Sequence, residues 1–402
     1  MIICPKVKCT GCWVCREACP KSCIGIKKDS LDIEYPYIDD AQCIGCGICK
    51  KVCPNNSDSI FHYPRKVYAA WSKDLNVRKS SASGGVATEL YRYYLSQGAV
   101  ATGVILDAQY IARYILLDNI SDISKVRNSK YTYSDTDGIY GKIKESLDKN
   151  VEVLFIGLPC HVAALLNYLK KPYDNLLTVD IICHGVPPSD YLRQHIANIE
   201  NSYNKNTAEC TFRDPNYGTH NFVFALYDES QKCFYHKRVL SNDVYQLGYH
   251  KALIYRENCY QCRFARAERV SDLTIGDFSG LGMVEECEIN SVNVSCVMVN
   301  TFRGECLVSA LESVEILERP IEEALNYERQ LKEPSQKHIH RNKFENLYKE
   351  TKDFTYAAAE ALQGEMIHGN LPPNVVRLLV KSIIRALLPA RLRKFIKSRI
   401  LK

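Results

Sequence analysis

Two stretches near the start of the chain repeat one cysteine spacing: Cys9-x2-Cys12-x2-Cys15-x3-Cys19-Pro20, then Cys43-x2-Cys46-x2-Cys49-x3-Cys53-Pro54. A thiolate is a soft anionic ligand, and short spacers let three of them converge on one metal centre from a single tight loop. Gly11, Gly45 and Gly47 lie inside these loops, where a missing Cβ permits unusual backbone angles and leaves room for inorganic sulfide. The chemistry open to such a set is one-electron transfer through iron–sulfur clusters, or stapling of a small domain by zinc. Two complete copies, each with its proline, favour iron. Cys4 and Cys23 fall outside the repeat and read as plain thiols packed beside the metal ligands.

The next cysteines are further apart. Cys160 follows an apolar run over 151–158, and Cys183 follows another over 176–182. Both runs read as strands, and open α/β sheets gather ligands at the carboxyl ends of their strands. Cys259-x2-Cys262 adds a pair. Four cysteines can hold one further iron–sulfur cluster or a tetrahedral zinc ion, and buried free thiols are the third reading.

The elements that position these residues follow from patterning. Residues 1–60 hold ten of the 19 cysteines, show little apolar periodicity and depend on what they bind for stability. Residues 61–79 read as a linker or first strand. Beyond Ser80, helices are expected over 86–97, 161–170 and 188–201, alternating with strands over 99–106, 151–158 and 176–182. That alternation predicts a parallel α/β sheet. Residues 207–238 suggest an antiparallel excursion, and helices are expected over 322–332 and 344–363. The 402 residues are 46% hydrophobic and 24% charged, which excludes a disordered, collagenous or coiled-coil chain. No apolar run reaches about 18 residues, so no bilayer-spanning helix is expected. The opening MIICPKVKCTGC lacks the pattern of an export signal, which points to a reducing cytoplasm.

The repeated spacing resembles that of bacterial two-cluster ferredoxins, where three cysteines of each copy grip one cluster and the fourth ligates the other. By that resemblance Cys9, Cys12, Cys15 and Cys53 hold one 4Fe–4S cluster, and Cys43, Cys46, Cys49 and Cys19 hold the second. A longer series follows. It runs Ser81-Ala82-Ser83-Gly84-Gly85-Val86-Ala87-Thr88, Asn128-Ser129-Lys130-Tyr131, Gly157-Leu158-Pro159-Cys160 and Asp180-Ile181-Ile182-Cys183-His184-Gly185-Val186-Pro187. Cys259-Tyr260-Gln261-Cys262-Arg263-Phe264 and Asp272-Leu273-Thr274-Ile275-Gly276-Asp277-Phe278 complete it. In this order the motifs resemble the beta subunit of coenzyme F420 hydrogenase/dehydrogenase, a family that also includes a plant chlorophyll-derivative reductase. The resemblance runs from about Ser80 to at least Gly282, and a ferredoxin domain in front is a common fusion. The chain departs from its relatives with Gly-Leu-Pro-Cys-His where many have Gly-Thr-Pro-Cys-Gln, and it carries no linked hydrogenase, so the electron acceptor stays open.

Members of this family are flavin and iron–sulfur oxidoreductases. The resemblance therefore implies a third 4Fe–4S cluster at Cys160, Cys183, Cys259 and Cys262, and FAD. A flavin joins one-electron carriers to two-electron substrates. For its phosphates, Ser83-Gly84-Gly85 precedes a helix whose free N–H groups and dipole favour an anion, an ordinary N-cap being the alternative. Ser129-Lys130-Tyr131 would add a charge and an aromatic face, unless Lys130 is a solvated loop lysine. His184 could donate a proton or hydrogen-bond the flavin, or be a core histidine. Asp277 could bind ribose, orient a lysine or cap a helix. His220, His236, His250, His338 and His340 show no ligand pattern.

The expected fold class is α/β, α+β overall. A bicluster ferredoxin-like domain (1–60) and a linker (61–79) precede a mixed, largely parallel α/β domain in two parts, 80–150 and 151–330, the second with the third cluster and flavin. A helical extension (331–370) and a basic amphipathic tail (371–402) follow. The formal charge is +6, yet residues 371–402 supply nine Lys or Arg and no acid, so the remainder carries −3. The basic character belongs to the tail and gives no reason to expect nucleic acid. Its apolar stripe fits an anionic membrane surface, with docking on the protein itself or on an acidic partner as alternatives. The leading function is an iron–sulfur flavoprotein oxidoreductase, moving electrons between a ferredoxin-like or other redox carrier and a small-molecule or deazaflavin-like coenzyme substrate. A non-catalytic electron-transfer subunit and a cluster-stabilised scaffold are the other readings.

Overall fold

The computed structural model describes residues 2–239 and 243–366; the basic tail at 371–402 lies outside the described residues. In the N-terminal segment β1 (Ile24–Lys28) pairs antiparallel with β2 (Glu34–Ile38). Two one-turn helices, Val14–Glu17 and Ile48–Lys51, carry Cys15 and Cys49 and repeat the symmetry of the sequence.

Of the two readings of residues 61–79, the first strand holds and the linker does not: they contain β3 (Lys66–Ser72) and the helix Leu75–Ser80. Strands β4 (Val100–Leu106), β5 (Ala112–Leu117), β6 (Ser134–Asp135), β7 (Val153–Gly157) and β8 (Leu176–Ile181) follow. The expected antiparallel excursion is a separate sheet of β9 (Glu209–Thr211), β10 (Val223–Tyr227) and β11 (Cys233–Arg238). The chain then returns with β12 (Leu273–Asp277), β13 (Ser295–Val299) and β14 (Val314–Arg319). The main sheet has nine strands in the order β14-β3-β13-β12-β8-β7-β4-β5-β6. Its centre, β12-β8-β7-β4, is parallel as the alternation predicts. Both flanks bring in antiparallel pairs: β12 with β13, β13 with β3, β3 with β14, and β4 with β5.

β7 is buried along its whole length, as a strand covered on both faces must be. Helices Val86–Leu95 and Pro159–Leu169 cover the centre, burying Leu90 and Leu165 completely. The helix after β7 begins two residues earlier than its periodicity suggests, so Cys160 sits in its first turn.

Two expected long helices are broken. In place of one helix over 322–332 there is Ile321–Leu325 and a short 3-10 turn at Arg329–Leu331. In place of 344–363 there are Arg341–Thr351 and Phe354–Ala361. The second break has a local cause. Lys352 ends one helix in the left-handed region at φ 55°, and Asp353 caps the next by accepting from the Tyr356 N–H at 3.0 Å. Among the described residues no helix is long and apolar enough to cross a membrane.

The ferredoxin-like segment is docked on this body. Trp13 joins the largest core at 2% exposure. Thr136 Oγ1 and Tyr140 OH both donate to the Cys12 carbonyl, at 2.8 and 2.9 Å, and Tyr133 OH donates to the Gly11 carbonyl.

Candidate functional site

Three thiol-lined sites and one large pocket adjoin one another. The outermost is a cavity lined by Cys19, Cys43, Cys46 and Cys49. Cys46 is exposed, and Ile44 beside it is 61% exposed. Cys23 Sγ lies 3.4 Å from Cys19 Sγ, beside the expected ligands.

At the second site Cys9, Cys12, Cys15 and Cys53 are all buried. Burial pushes the Cys15 thiol up, and the charges of Cys12, Cys9 and Cys53 push the same way, so the four stand close together. Interaction with the neighbouring Cys4 thiol lowers Cys9 to about 6. Each fourth cysteine has thus crossed to the group of the other repeat, and each group has a fifth thiol at its side.

The third site is a cavity lined by Cys160, Cys183, Cys259 and Cys262, which stand at three distant places in the chain. The end of β7, the end of β8 and the 3-10 turn Glu257–Gln261 bring them together. Burial pushes all four thiols up, Cys259 to about 12, so they hold their protons near neutrality until a metal displaces them. The four thiols surround a cavity, and a Cys4 donor set around such a space fits a cubane with its own sulfides. Thr10, from the loop between Cys9 and Cys12, also lines this cavity.

Cys183, His184, Gly185 and Val186 line both the third site and a much larger pocket, about 1880 Å³ including its open mouth. That pocket lies where β7, β8 and β12 end, with Gly157, Ile181 and Asp277 in its wall. Ser83, Gly85, Ser129, Lys130, Tyr131, Asp277 and His184 all line it.

The helix Val86–Leu95 points its N-terminus into the pocket and has no side-chain cap, which leaves its first N–H groups free for an anion. Gly85 caps it at φ 88°, a conformation that favours glycine. Gly84 does not take the phosphate role expected of it. Its N–H donates to Ser295 Oγ at 2.9 Å, its carbonyl accepts from Ser72, and a Cβ there would stand 2.3 Å from the Ala70 oxygen. It packs the turn against β3 and β13.

Lys130 Nζ donates to the carbonyls of Arg127 at 2.6 Å and Asn128 at 3.3 Å, and desolvation pushes it down to about 7. Arg127 Nε, Asn128 Oδ1 and Thr132 Oγ1 are buried with no hydrogen-bond partner, and all three residues line the pocket. An uncapped helix start, a desolvated ammonium and unpartnered polar atoms fit the phosphate and ribose oxygens of a dinucleotide. Tyr131 stacks on Tyr249 with centroids 4.4 Å apart, presenting an aromatic wall. Asp277 orients an arginine where a lysine was expected, accepting from Arg213 Nη1 at 2.7 Å. His184 is half-exposed at the mouth, with Nε2 3.9 Å from Glu328 Oε1.

Sequence reasoning missed Arg127, Arg213, Tyr114, Glu328 and His250 in this wall. Burial lowers His250 to about 3, so it lines the pocket as a neutral ring. The break near residue 326 is what carries Glu328 to the pocket.

Residues 151–324 match the family model for the C-terminal part of the beta subunit of coenzyme F420 hydrogenase/dehydrogenase, and residues 67–139 match the model for its N-terminal part. Together they take in more than half of the chain. A 4Fe-4S dicluster domain matches residues 8–57. No curated protein matches. Among solved structures, a chain of the F420-reducing [NiFe] hydrogenase complex from Methanosarcina barkeri is similar over 79% of this chain and 99% of its own, at 19% identity and a TM-score of 0.42. With a 4Fe–4S dicluster domain in front of both matched regions, this chain belongs to the coenzyme F420 hydrogenase/dehydrogenase beta-subunit family and is an iron–sulfur electron-transfer protein of the oxidoreductase class.

Proposed function

We propose that the protein is an iron–sulfur flavoprotein oxidoreductase that takes single electrons from a low-potential carrier and delivers them in pairs to a small-molecule or coenzyme substrate. The observation that carries this reading is the segment Cys183-His184-Gly185-Val186, which forms the wall shared by the third thiol site and the large pocket. Bound clusters would pass one electron at a time, and bound FAD would collect two of them with a proton.

The chain's own residues set the order. Cys46 and Ile44 bring the outer site to the surface, where a carrier of ferredoxin type can dock. Thr10 joins the loop of Cys9 and Cys12 to the third site. Lys130 and the start of the helix Val86–Leu95 bind phosphate, while the stacked pair Tyr131 and Tyr249 forms an aromatic wall for a ring system. His184, with Glu328 beside it, is placed to hold a proton at the mouth. The pocket opens to solvent at its mouth, so a substrate could reach a flavin bound there, which favours an enzyme over a sealed relay subunit. We assign the protein to the cytoplasm, with the basic tail as a reversible contact to the inner face of the membrane.

Anaerobic metal, sulfide and flavin analysis tests the reading. Wild-type protein should carry about twelve iron and twelve sulfide, extrapolating from four cysteines per cubane, together with FAD. Cys183→Ala should keep about eight of each and lose flavin reduction through the ferredoxin clusters. Stoichiometric zinc with about eight iron in the wild type refutes the third cluster.

A further inference from the structure

We propose that Arg256 is a fixed positive charge, shared by the inner ferredoxin site and the third thiol site, that makes both easier to reduce. This deepens the three-cluster reading and rests on it. Arg256 is the largest of the fully buried side chains, at 1% exposure. Its Nη2 donates to two backbone carbonyls, Glu34 at 3.0 Å and Cys9 at 3.4 Å. The rings of Tyr35 and Tyr133 lie 5.3 Å from its guanidinium carbon. Gly11 makes the close approach possible: at φ 74° it has no Cβ where one would stand 3.0 Å from the guanidinium. Through its backbone the same residue opens the turn that carries Cys259, whose N–H donates to the Arg256 carbonyl at 3.0 Å. The side chain is therefore pressed on the loop of Cys9 and Cys12, while the main chain builds the wall of the third site.

A charge this deeply buried is costly unless an opposite charge offsets it. Among the described residues no carboxylate lies within 4.0 Å of this guanidinium, and its Nε has no hydrogen-bond partner. Arg269, at the wall of the third cavity, differs: Asp180 neutralises it at 2.9 Å. The guanidinium presses instead on the loop that carries Cys9 and Cys12, through the Cys9 carbonyl and the face of Gly11. Four thiolates and a cubane make an anion. Each electron taken from the carrier adds one negative charge there, and passing it on removes that charge again. Arg256 favours the more negative form at both sites, so neither lies far uphill from the carrier. A unit charge roughly 10 Å away, at an effective dielectric constant of about 20, changes a one-electron equilibrium about tenfold, which corresponds to about 59 mV.

The test is an anaerobic redox titration of the full-length, cluster-loaded protein, read by electron paramagnetic resonance, on Arg256→Gln and Arg256→Lys. In Arg256→Gln two of three cluster transitions should move about tenfold, or about 59 mV, to more negative potential, while the outer site of Cys19, Cys43, Cys46 and Cys49 stays put. Arg256→Lys should restore the wild-type values. Unmoved potentials in a loaded Arg256→Gln overturn the proposal, as does an equal shift in both variants. If Arg256→Gln loses iron, Arg256→Lys decides: full loading with wild-type potentials supports the charge, and loss in both assigns Arg256 to packing alone. A wild-type protein with only about eight iron rejects the three-cluster reading instead, and the shift at the Cys9 site is then read by itself.

Discussion

Lys130 offers the most quantitative test of the proposal that the large pocket binds FAD. Burial lowers its ammonium from the ordinary 10.5 to about 7, and its donors reach only the carbonyls of its own loop. A phosphate beside it would restore the charge. At about 1.36 kcal/mol per pH unit the full recovery is roughly 5 kcal/mol, which is a ceiling because a pyrophosphate keeps some of its water. A hydrogen bond to a charged partner contributes about 1.5–3 kcal/mol net, so Lys130→Met should weaken FAD binding roughly 10- to 100-fold at pH 6.5. The pH dependence has a definite sign. Above about 7 the flavin-free site has lost its proton, and binding the anion must take one up. Wild-type affinity should therefore fall by up to about tenfold per pH unit above 7 until the contribution of Lys130 is spent, while Lys130→Met stays flat. Without flavin the sign reverses. The folded value lies below the unfolded one, so the unfolded chain binds more protons between about 7 and 10.5, and this group adds stability as pH rises through that window. Fluorescence titration of FAD from pH 6.5 to 9, with proton uptake measured by calorimetry in two buffers, reads both effects. The reasoning fails if Lys130→Met binds FAD as tightly as wild type with the same pH slope.

Cys183→Ala separates the third site from the other two. Its iron should fall from about twelve to about eight, and normal flavin reduction through the ferredoxin clusters in that variant would refute the shared wall as the route. Gly84→Ala should destabilise the sheet by about 1–3 kcal/mol or more, since its Cβ would stand 2.3 Å from the Ala70 oxygen; an unchanged melting temperature contradicts that packing. Deletion of residues 371–402 should abolish binding to anionic vesicles, where each basic residue contributes about 1 kcal/mol near the surface. It should leave the clusters intact, because the last cysteine is Cys306. Equal co-sedimentation with neutral vesicles returns the tail to docking on the protein itself.

The parts of the site that were legible in the sequence are those whose chemistry is written in short spacings. Each ferredoxin repeat closes on itself within about ten residues, so cysteine spacing alone points to two groups of four, and the structure gathers the eight as the resemblance implies. The third site joins residues from 160 to 262; strand ends and a count of four thiols left a cluster, zinc and free thiols open, and the family pattern favoured the cluster. The parallel centre of the sheet was legible at β7 and β8, each an apolar run that leads into a helix. The flanks were not. β3 lies in a stretch that read equally as linker, and only pairing with β13 and β14 decides that it is a strand. Periodicity also overran the helix breaks at Asn326 and Lys352, because apolar spacing continues across them while backbone conformation does not.

Arg256, Arg213 and His250 were illegible for a different reason. An isolated arginine or histidine in a sequence is most simply a solvated or core residue, and nothing local marks one that will face a thiol site or the large pocket. Their placement depends on contacts across the fold. The loop of Cys9 and Cys12 is held by Tyr133, Thr136 and Tyr140, more than 120 residues away in sequence, and by Arg256, 247 residues from Cys9. These bonds all end on backbone carbonyls, which every residue has, so the ferredoxin repeat carries no side-chain signal for them. They nonetheless fix how closely the inner ferredoxin site approaches the third. The repeat specifies which atoms bind metal, and the body of the protein specifies where an electron can go next.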